Sequence, residues 1–340
     1  MKIAFLNIYQ ERVDRGAETF VSEVSFRMSK NHQVKVFSGG KNQQGRWPII
    51  WRTFLDPRGI QGFFWTLKLL PQIWKEKFDI VVPINGGWQP AFIRLITWLY
   101  GGKMVVSGQS GMGWDDRNNL WSFPDVFVAL TSKAKNWAKK ANPFLKNIVY
   151  IPNGVDLKKF IQQGKKYKTG LKKPIILCVG ALTPQKRIIL VIDAVSKLKE
   201  VSLLIAAGGE DKVNIAKLGQ GLLGNRFEMI SVPYTSMPDV YRVADVFTLV
   251  SESSEAFGNV FVEAMATNLP VVAVNDEQRQ EIVGDAGLYV DDPNDLDSYA
   301  NVLKKALISE WGNKPRNQAE KFDWDTIAKK YEDLFYEILK

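Results

Sequence analysis

The sequence predicts an α/β protein built from two doubly wound, mostly parallel halves. Three observations carry this. Short apolar, β-rich runs alternate with longer helical patterns along nearly the whole chain. The alternation pauses once, at residues 158–173, where Lys, Gln and Gly replace the apolar residues, and then it restarts. Finally, 340 residues with 46% apolar content can bury two ordinary cores. Alternation of this kind implies parallel sheets with crossover helices. Two such halves are expected to hold a ligand in the cleft between them, beyond the carboxyl ends of the strands.

The elements follow in order. Residues 3–8 are short and apolar, a first strand. Residues 17–30 carry Phe20, Val24 and Met28 at helical spacing. Strands are expected at 34–37, 79–84, 103–107, 126–130 and 148–151, with helices at 89–100 and 132–141 between them. Pro71 interrupts any continuous helix over the aromatic stretch 62–77. After the polar stretch, which reads as the interdomain linker, strands are expected at 174–180, 202–206, 227–230, 246–250 and 270–274, with a helix at 187–200. The last segment, 324–339, has helical spacing at Ile327, Tyr331, Leu334 and Ile338.

Composition narrows the chemistry. No run reaches the roughly 18 apolar residues of a membrane span, and Met1-Lys2-Ile3-Ala4-Phe5-Leu6-Asn7 turns polar too soon for a signal peptide. The single cysteine, Cys178, excludes internal disulfides and fits a reducing cytoplasm. One histidine, His32, argues against a His-rich metal site or a Ser-His-Asp triad; it reads as a polar residue entering a strand. Asp115-Asp116 and Asp291-Asp292 read as solvated loop charges, so no metal is expected. Residues 1–170 carry 26 Lys and Arg against 11 Asp and Glu, and the remainder 19 against 25. The first half is therefore expected to face something anionic: nucleic acid, anionic lipid or a phosphorylated substrate.

The sharpest signal is Ser254-Glu255-Ala256-Phe257-Gly258-Asn259-Val260-Phe261-Val262-Glu263-Ala264-Met265-Ala266. It follows the strand at 246–250. Gly258 permits close approach of backbone to a ligand. A helix starting near Asn259 would aim its first N–H groups, and the positive end of its dipole, at a phosphate or polar sugar edge. Glu263 falls one turn further along the same face and could accept from a pair of vicinal hydroxyls. Glu255 could reach the other end of the same ligand. Residue types alone leave a second reading open: helix capping plus solvated charge.

Two glutamates bracketing Phe-Gly-Asn-Val resemble the signature of the retaining GT-B glycosyltransferases, specifically glycosyltransferase family 4 (group 1). Further stretches agree in order: Arg15-Gly16-Ala17-Glu18 with the family's N-terminal Gly-Gly loop, Ile151-Pro152-Asn153-Gly154-Val155-Asp156 with its interdomain segment, and Val179-Gly180-Ala181-Leu182-Thr183-Pro184-Gln185-Lys186-Arg187 with its phosphate-binding strand and loop. Glu281-Ile282-Val283, Ala286-Gly287-Leu288 and Phe322-Asp323-Trp324 resemble its later segments. The similarity spans most of the chain and is weak over residues 40–120.

The resemblance implies a GT-B fold: an acceptor-binding N-terminal domain at 1–165, a nucleotide-sugar domain at 166–322, and a final helix, 323–340, crossing back to the first. It implies that Glu263 binds the donor ribose and that Glu255, with the backbone of Phe257, Gly258, Asn259 and Val260, holds the donor sugar and phosphate. Lys186 would neutralise the diphosphate leaving group, and Gly16 would give backbone access to it. The implied reaction is retaining and metal-free, with the leaving phosphate as base and no cofactor beyond the nucleoside diphosphate sugar. Gly208-Gly209-Glu210 and Val232-Pro233-Tyr234 would line the nucleotide end.

Three departures stand out. Arg15 replaces the first loop glycine. Ala181 occupies the place of a common arginine, which leaves Arg187 either as substitute cation or as surface residue. Gln109 lies where the family often has a histidine; it can bond a sugar hydroxyl but cannot act as acid or base. The expected acceptor is a sugar or a lipid-linked sugar in cell-envelope polysaccharide or glycolipid synthesis. Trp65, Trp74, Trp88, Trp98, Trp114 and Trp121 among the basic first half suggest a cytoplasmic protein peripheral to an anionic membrane surface, with Trp47 and Trp51 part of the same set. Nucleic acid is not expected as partner, since no nucleic-acid module is present. The alternatives are a membrane-associated binding protein with a degenerate GT-B fold, and an epimerase or phosphorylase on that fold.

Overall fold

The computed structural model describes residues 1–11, 16–39, 57–209 and 211–340. Arg15, Trp47, Trp51 and Glu210 lie outside the described residues. The chain forms two units, Met1–Asn153 with Trp324–Lys340, and Gly154–Asp323.

The first unit holds a six-stranded sheet in the order β2-β1-β3-β4-β5-β6. Its strands are β1 (Lys2–Asn7), β2 (Gln33–Ser38), β3 (Ile80–Pro83), β4 (Lys103–Ser107), β5 (Val126–Ala129) and β6 (Ile148–Tyr150). All pairings are parallel. Both faces are buried, as the continuous apolar strands demand. Ile3 and Phe5 point to one side, where α1 (Gly16–Met28) packs Phe20 and Val24 and the C-terminal helix (Trp324–Leu339) packs Trp324, Ile327 and Tyr331. Ala4 and Leu6 point to the other side, where α2 (Pro57–Glu76), α3 (Trp88–Tyr100), α4 (Trp114–Trp121) and α5 (Ser132–Ala141) lie. The C-terminal helix is tied to this unit by polar contacts as well: Arg27 Nε to Asp325 Oδ1 at 2.6 Å, and His32 Nε2 to Glu332 Oε1 at 2.7 Å.

Three expectations are corrected here. Pro71 does not break its helix; α2 runs through it. Proline costs a helix interior about 3 kcal/mol, and packing of Trp65, Leu69, Leu70 and Ile73 against the core offsets that. Asp116 is not a solvated charge but is 2% exposed, with Asn119 Nδ2 at 3.0 Å from its Oδ1. Residues 158–173 are not a free linker, and the division falls after Asn153 rather than after residue 165. The segment runs along the second unit, held by hydrogen bonds instead of apolar burial. The Arg242 guanidinium donates to the carbonyls of Lys159, Ile161 and Lys165, Tyr167 N to Asp239 O, and Ser202 Oγ to Lys172 O. Those partners are distant in sequence, which is why composition alone reads as linker.

The second unit repeats the architecture with order β12-β11-β10-β7-β8-β9, all parallel. Its strands are β7 (Ile175–Ala181), β8 (Ser202–Gly208), β9 (Phe227–Ile230), β10 (Val246–Leu249), β11 (Val271–Val274) and β12 (Gly287–Val290). The helices are α6 (Ile188–Ser196), α7 (Lys212–Leu223), α8 (Met237–Tyr241), α9 (Asn259–Ala266), α10 (Glu277–Val283), α11 (Leu296–Ile308) and α12 (Lys314–Ala319). The chain winds outward from β7 in one direction to β9, then returns to β7's other side at β10. Strand order reverses there, so the loops leaving β7 and β10 part and leave a crevice.

Burial pushes the Asp116 carboxyl up to about 7 from 3.8, against the opposing pull of Asn119 and the backbone N–H groups of Gly111 and Ser110. A folded value above the unfolded one means the folded chain holds the proton more tightly, so stability falls as pH rises from about 4 to about 7. Between pH 4.5 and 7.5 wild type is expected to lose on the order of 3 kcal/mol more than Asp116→Asn. Urea unfolding at both pH values checks this, and parallel pH profiles would refute it.

Candidate functional site

The crevice of the second unit collects side chains from four loops. β7 runs into Leu182 and Thr183, then a 3-10 turn, Pro184–Lys186. The stem of Lys186 crosses Gly180, where an added Cβ would sit 3.7 Å from it. Arg187 follows in the left-handed region at φ 50° and begins α6. From β10 the chain passes Ser251 and Glu255 to Gly258, at φ 94°, and enters α9. Gly258 is required twice over: by that φ, and because a Cβ would lie 2.7 Å from the Phe261 ring. The N-cap residue of α9, Gly258, has no side chain with which to cap it.

Lys186 Nζ donates to Glu255 Oε1, and Ser251 Oγ to Glu255 Oε2. Glu252 N donates to Gln185 O at 2.9 Å, tying the two loops together. A third loop, after β11, brings a residue that sequence reasoning missed. Arg279 of α10 is fully buried, and its NH2 bonds Ser251 Oγ and Glu252 O at 2.8 Å and reaches Glu255 Oε2 at 3.5 Å. Asp276, the N-cap of α10, holds the other arm of that guanidinium at 2.8 Å. The adjacent Gln278 donates to Glu255 O. The only local signal for Arg279 was an Asp three residues before an Arg just past a strand. Burial pushes the Glu255 carboxyl up, but the Lys186 ammonium, Ser251 and Arg279 outweigh it and hold it below the ordinary carboxylate value.

Glu263 lies in the second turn of α9, 5% exposed. Its two oxygens accept from two tyrosines of the fourth loop, which follows β9: Tyr234 OH at 3.0 Å on Oε1 and Tyr241 OH at 2.8 Å on Oε2. Burial raises its carboxyl above the ordinary value, and the two phenols only partly offset this. Tyr241 was not anticipated either.

The remaining expected residues divide. Phe257 is buried against Phe322, ring centroids 5.7 Å apart, so its side chain packs and only its backbone is available. Asn259 and Val260 form the first turn of α9, half-buried. Arg187 is half-buried and makes no ion pair with Glu255 among the described residues; with the hydrogen bonds of Asn294, it holds the exposed Asp292 carboxyl below its usual value. Gly16 and Gln109 belong to the first unit. Gly16 opens α1. Gln109 exchanges two hydrogen bonds of 3.0 Å with the Asn153 amide and donates to Ser107 Oγ. Buried Cys178 has its thiol pushed up to about 12, which removes it as a nucleophile. Among the described residues no three His, Cys, Asp or Glu side chains group as metal ligands.

A cation, an ionised carboxylate and a glycine-led helix N-terminus at one strand-order reversal suit a phosphorylated, hydroxyl-rich ligand. Comparison with known proteins agrees. The model of group 1 glycosyl transferases matches residues 160–322, and that of glycosyltransferase family 4 matches residues 15–159. The chain belongs to the group 1, family 4 glycosyltransferases. It is 26% identical over 237 residues to a GDP-mannose-dependent α-(1-6)-phosphatidylinositol monomannoside mannosyltransferase of Mycobacterium tuberculosis, covering 62% of this chain and 61% of that one. It is 30% identical over 232 residues to an exopolysaccharide phosphotransferase of Streptomyces coelicolor, covering 63% of this chain but 24% of that much longer protein. Among solved structures it resembles the HepE protein of Anabaena in complex with UDP and glucose, with TM-score 0.78, 18% identity and 99% and 100% of the two chains covered. Sucrose-phosphate synthase of Thermosynechococcus elongatus gives TM-score 0.80 at 17% identity, covering 99% and 98%. These structures establish the GT-B fold.

Gly258→Ala is expected to cost about 1–3 kcal/mol, from the left-handed backbone and the Phe261 clash together. A thermal melt indistinguishable from wild type would contradict the geometry of this turn.

Proposed function

We propose that this glycosyltransferase moves a sugar from a nucleoside diphosphate sugar to a hydroxyl acceptor, with retention of configuration and without a metal. The observation that carries the reading is the Lys186–Glu255 pair beside the glycine-led N-terminus of α9, at the strand-order reversal of the second unit. The names of its relatives support a nucleotide-sugar donor: HepE was solved with UDP and glucose, and the mycobacterial mannosyltransferase is GDP-mannose-dependent.

In this reading Glu263 takes the ribose hydroxyls of the donor, and the first turn of α9 takes its diphosphate. Lys186 carries the charge that develops when the bond from the anomeric carbon to the phosphate oxygen breaks. The acceptor oxygen bonds to the anomeric carbon, and its proton passes to the departing phosphate, giving glycoside and nucleoside diphosphate. Glu255, kept ionised by its cations, accepts hydrogen bonds from donor sugar hydroxyls and shares Lys186 with the diphosphate. Gln109 contributes amide hydrogen bonding on the acceptor side, and the first unit takes the acceptor.

We infer a lipid-linked acceptor reached at an anionic membrane surface. Helix α2 is apolar on two faces. Trp65, Leu69, Leu70 and Ile73 pack inward, while Phe64, Leu67 and Trp74 are exposed beside the exposed Lys68 and Lys75. On α3 the exposed Trp88, Leu95, Trp98 and Leu99 continue this apolar surface, and Phe63 joins the helices through ring contacts with Trp88 and Phe92 at 6.2 and 5.5 Å. Rings flanked by cations suit the headgroup boundary. The charge surplus of residues 1–170 complements anionic lipid, and the mannosyltransferase relative is named for a phosphatidylinositol acceptor. No described helix is long and apolar enough to cross a membrane, so attachment in this reading is to the surface.

Two measurements test this. Lys186→Ala is expected to lower kcat about 10²-fold or more while changing donor affinity much less, because leaving-group charge is greatest in the transition state. Unchanged turnover with a panel of UDP- and GDP-sugars would remove Lys186 from the chemistry, and donor binding without any turnover in wild type would favour a binding protein. Second, vesicle co-sedimentation is expected to require anionic lipid and to weaken as salt rises. Equal failure with anionic and neutral vesicles would leave a soluble acceptor.

A further inference from the structure

Glu263 stands in an unusual position for a ligand-binding carboxylate. Both its oxygens are already engaged by hydroxyl donors, and only 5% of the residue is exposed. The two donors differ. Tyr241 is fully buried within α8, its ring edge-on to Phe160 at 5.9 Å and beside Phe247 at 6.0 Å. Tyr234 is half-buried on the 3-10 turn Tyr234–Ser236, outside the sheet, with its ring tilted against Phe160 at 5.9 Å. One phenol is built into the core; the other reaches Glu263 from a half-buried turn.

We propose that Tyr234 is an exchangeable stand-in for the donor ribose, its hydroxyl occupying Glu263 Oε1 until the nucleotide displaces it. The inference rests on the reading of Glu263 as the ribose carboxylate. A phenol and a ribose hydroxyl make the same bond, an O–H donated to a carboxylate oxygen. Each carboxylate oxygen has a second lone pair, so a ribose could in principle join Tyr234 rather than replace it. With Glu263 only 5% exposed and the Tyr234 hydroxyl already on Oε1, the diol takes that oxygen by displacing Tyr234. Tyr241 keeps Oε2 oriented throughout.

The arrangement has two consequences. Without donor, the buried carboxylate is never left unpaired, which would be costly. And the binding-competent state is only a fraction of the ensemble, so apparent donor affinity is reduced by that fraction. Tyr234 is therefore a positioning residue that sets KM for donor and leaves the chemical step alone.

The experiment compares Tyr234→Phe, Tyr241→Phe and Glu263→Ala by calorimetric titration with UDP and with GDP, followed by kinetics with the donor sugar that turns over. Tyr234→Phe removes the hydroxyl that anchors the ring at Oε1, so the side chain yields to the diol without losing a hydrogen bond. It is expected to bind the productive nucleotide about 3- to 10-fold more tightly and to lower donor KM at unchanged kcat. Tyr241→Phe is expected to bind more weakly, since it removes a partner that stays. Nucleotide binding by Tyr234→Phe that equals or falls below wild type, while Glu263→Ala loses affinity, would overturn the exchange and leave Glu263 in place. Glu263→Ala binding as wild type would instead remove the ribose reading, and the exchange with it.

Discussion

The candidate site depends on one buried carboxylate. The Glu255 side chain is only 14% exposed, and a charge so far withdrawn from water is costly without a partner. Its two oxygens require Lys186 from the loop after β7, Ser251 from its own loop, and Arg279 from the helix after β11. Three strand-to-helix connections are thereby drawn to one point. Arg279 extends the constraint further, because its own buried guanidinium must be paired with Asp276 and with the carbonyl of Glu252. The result is a loop set whose charges are paired with one another, with Arg279 Nε and Gln278 Oε1 left without a hydrogen-bond partner.

That internal pairing shapes function. Preorganised charge is useful to a transferase because the leaving diphosphate meets cations that need not reorient. In the proposed reading, the same pairing makes the donor compete with internal partners: with Glu255 for Lys186, and with Tyr234 for Glu263. On that proposal, binding exchanges like for like, phosphate oxygen for carboxylate oxygen and ribose hydroxyl for phenol.

The first unit shows a different economy. Its sheet is covered on both faces, yet α2 and α3 keep a second apolar surface turned outward, carrying Phe64, Trp74, Trp88 and Trp98. Residues of the same kind sit on both sides of α2, so aromatic content alone could not separate core from surface. Trp65 and Trp74 are nine residues apart, and only packing shows that the first lies against the core while the second faces out.

The sequence by itself determined the architecture. Short continuous apolar strands and helices at 3.6 spacing admit little besides parallel sheets, and Gly258 before the Asn259 helix singled out the loop of the candidate site, because glycine takes that left-handed backbone most readily and a helix start offers free N–H groups. Such signals are local and therefore legible. Tertiary structure alone decided which partners meet. Arg279 joins Glu255 across 24 positions, Tyr241 joins Glu263 across 22, Arg242 captures residues 159–165 across about 80, and Asp116 is taken out of water. A charge's role is set by its dielectric surroundings and its opposite number, and both are supplied by chain segments that the local sequence does not contain.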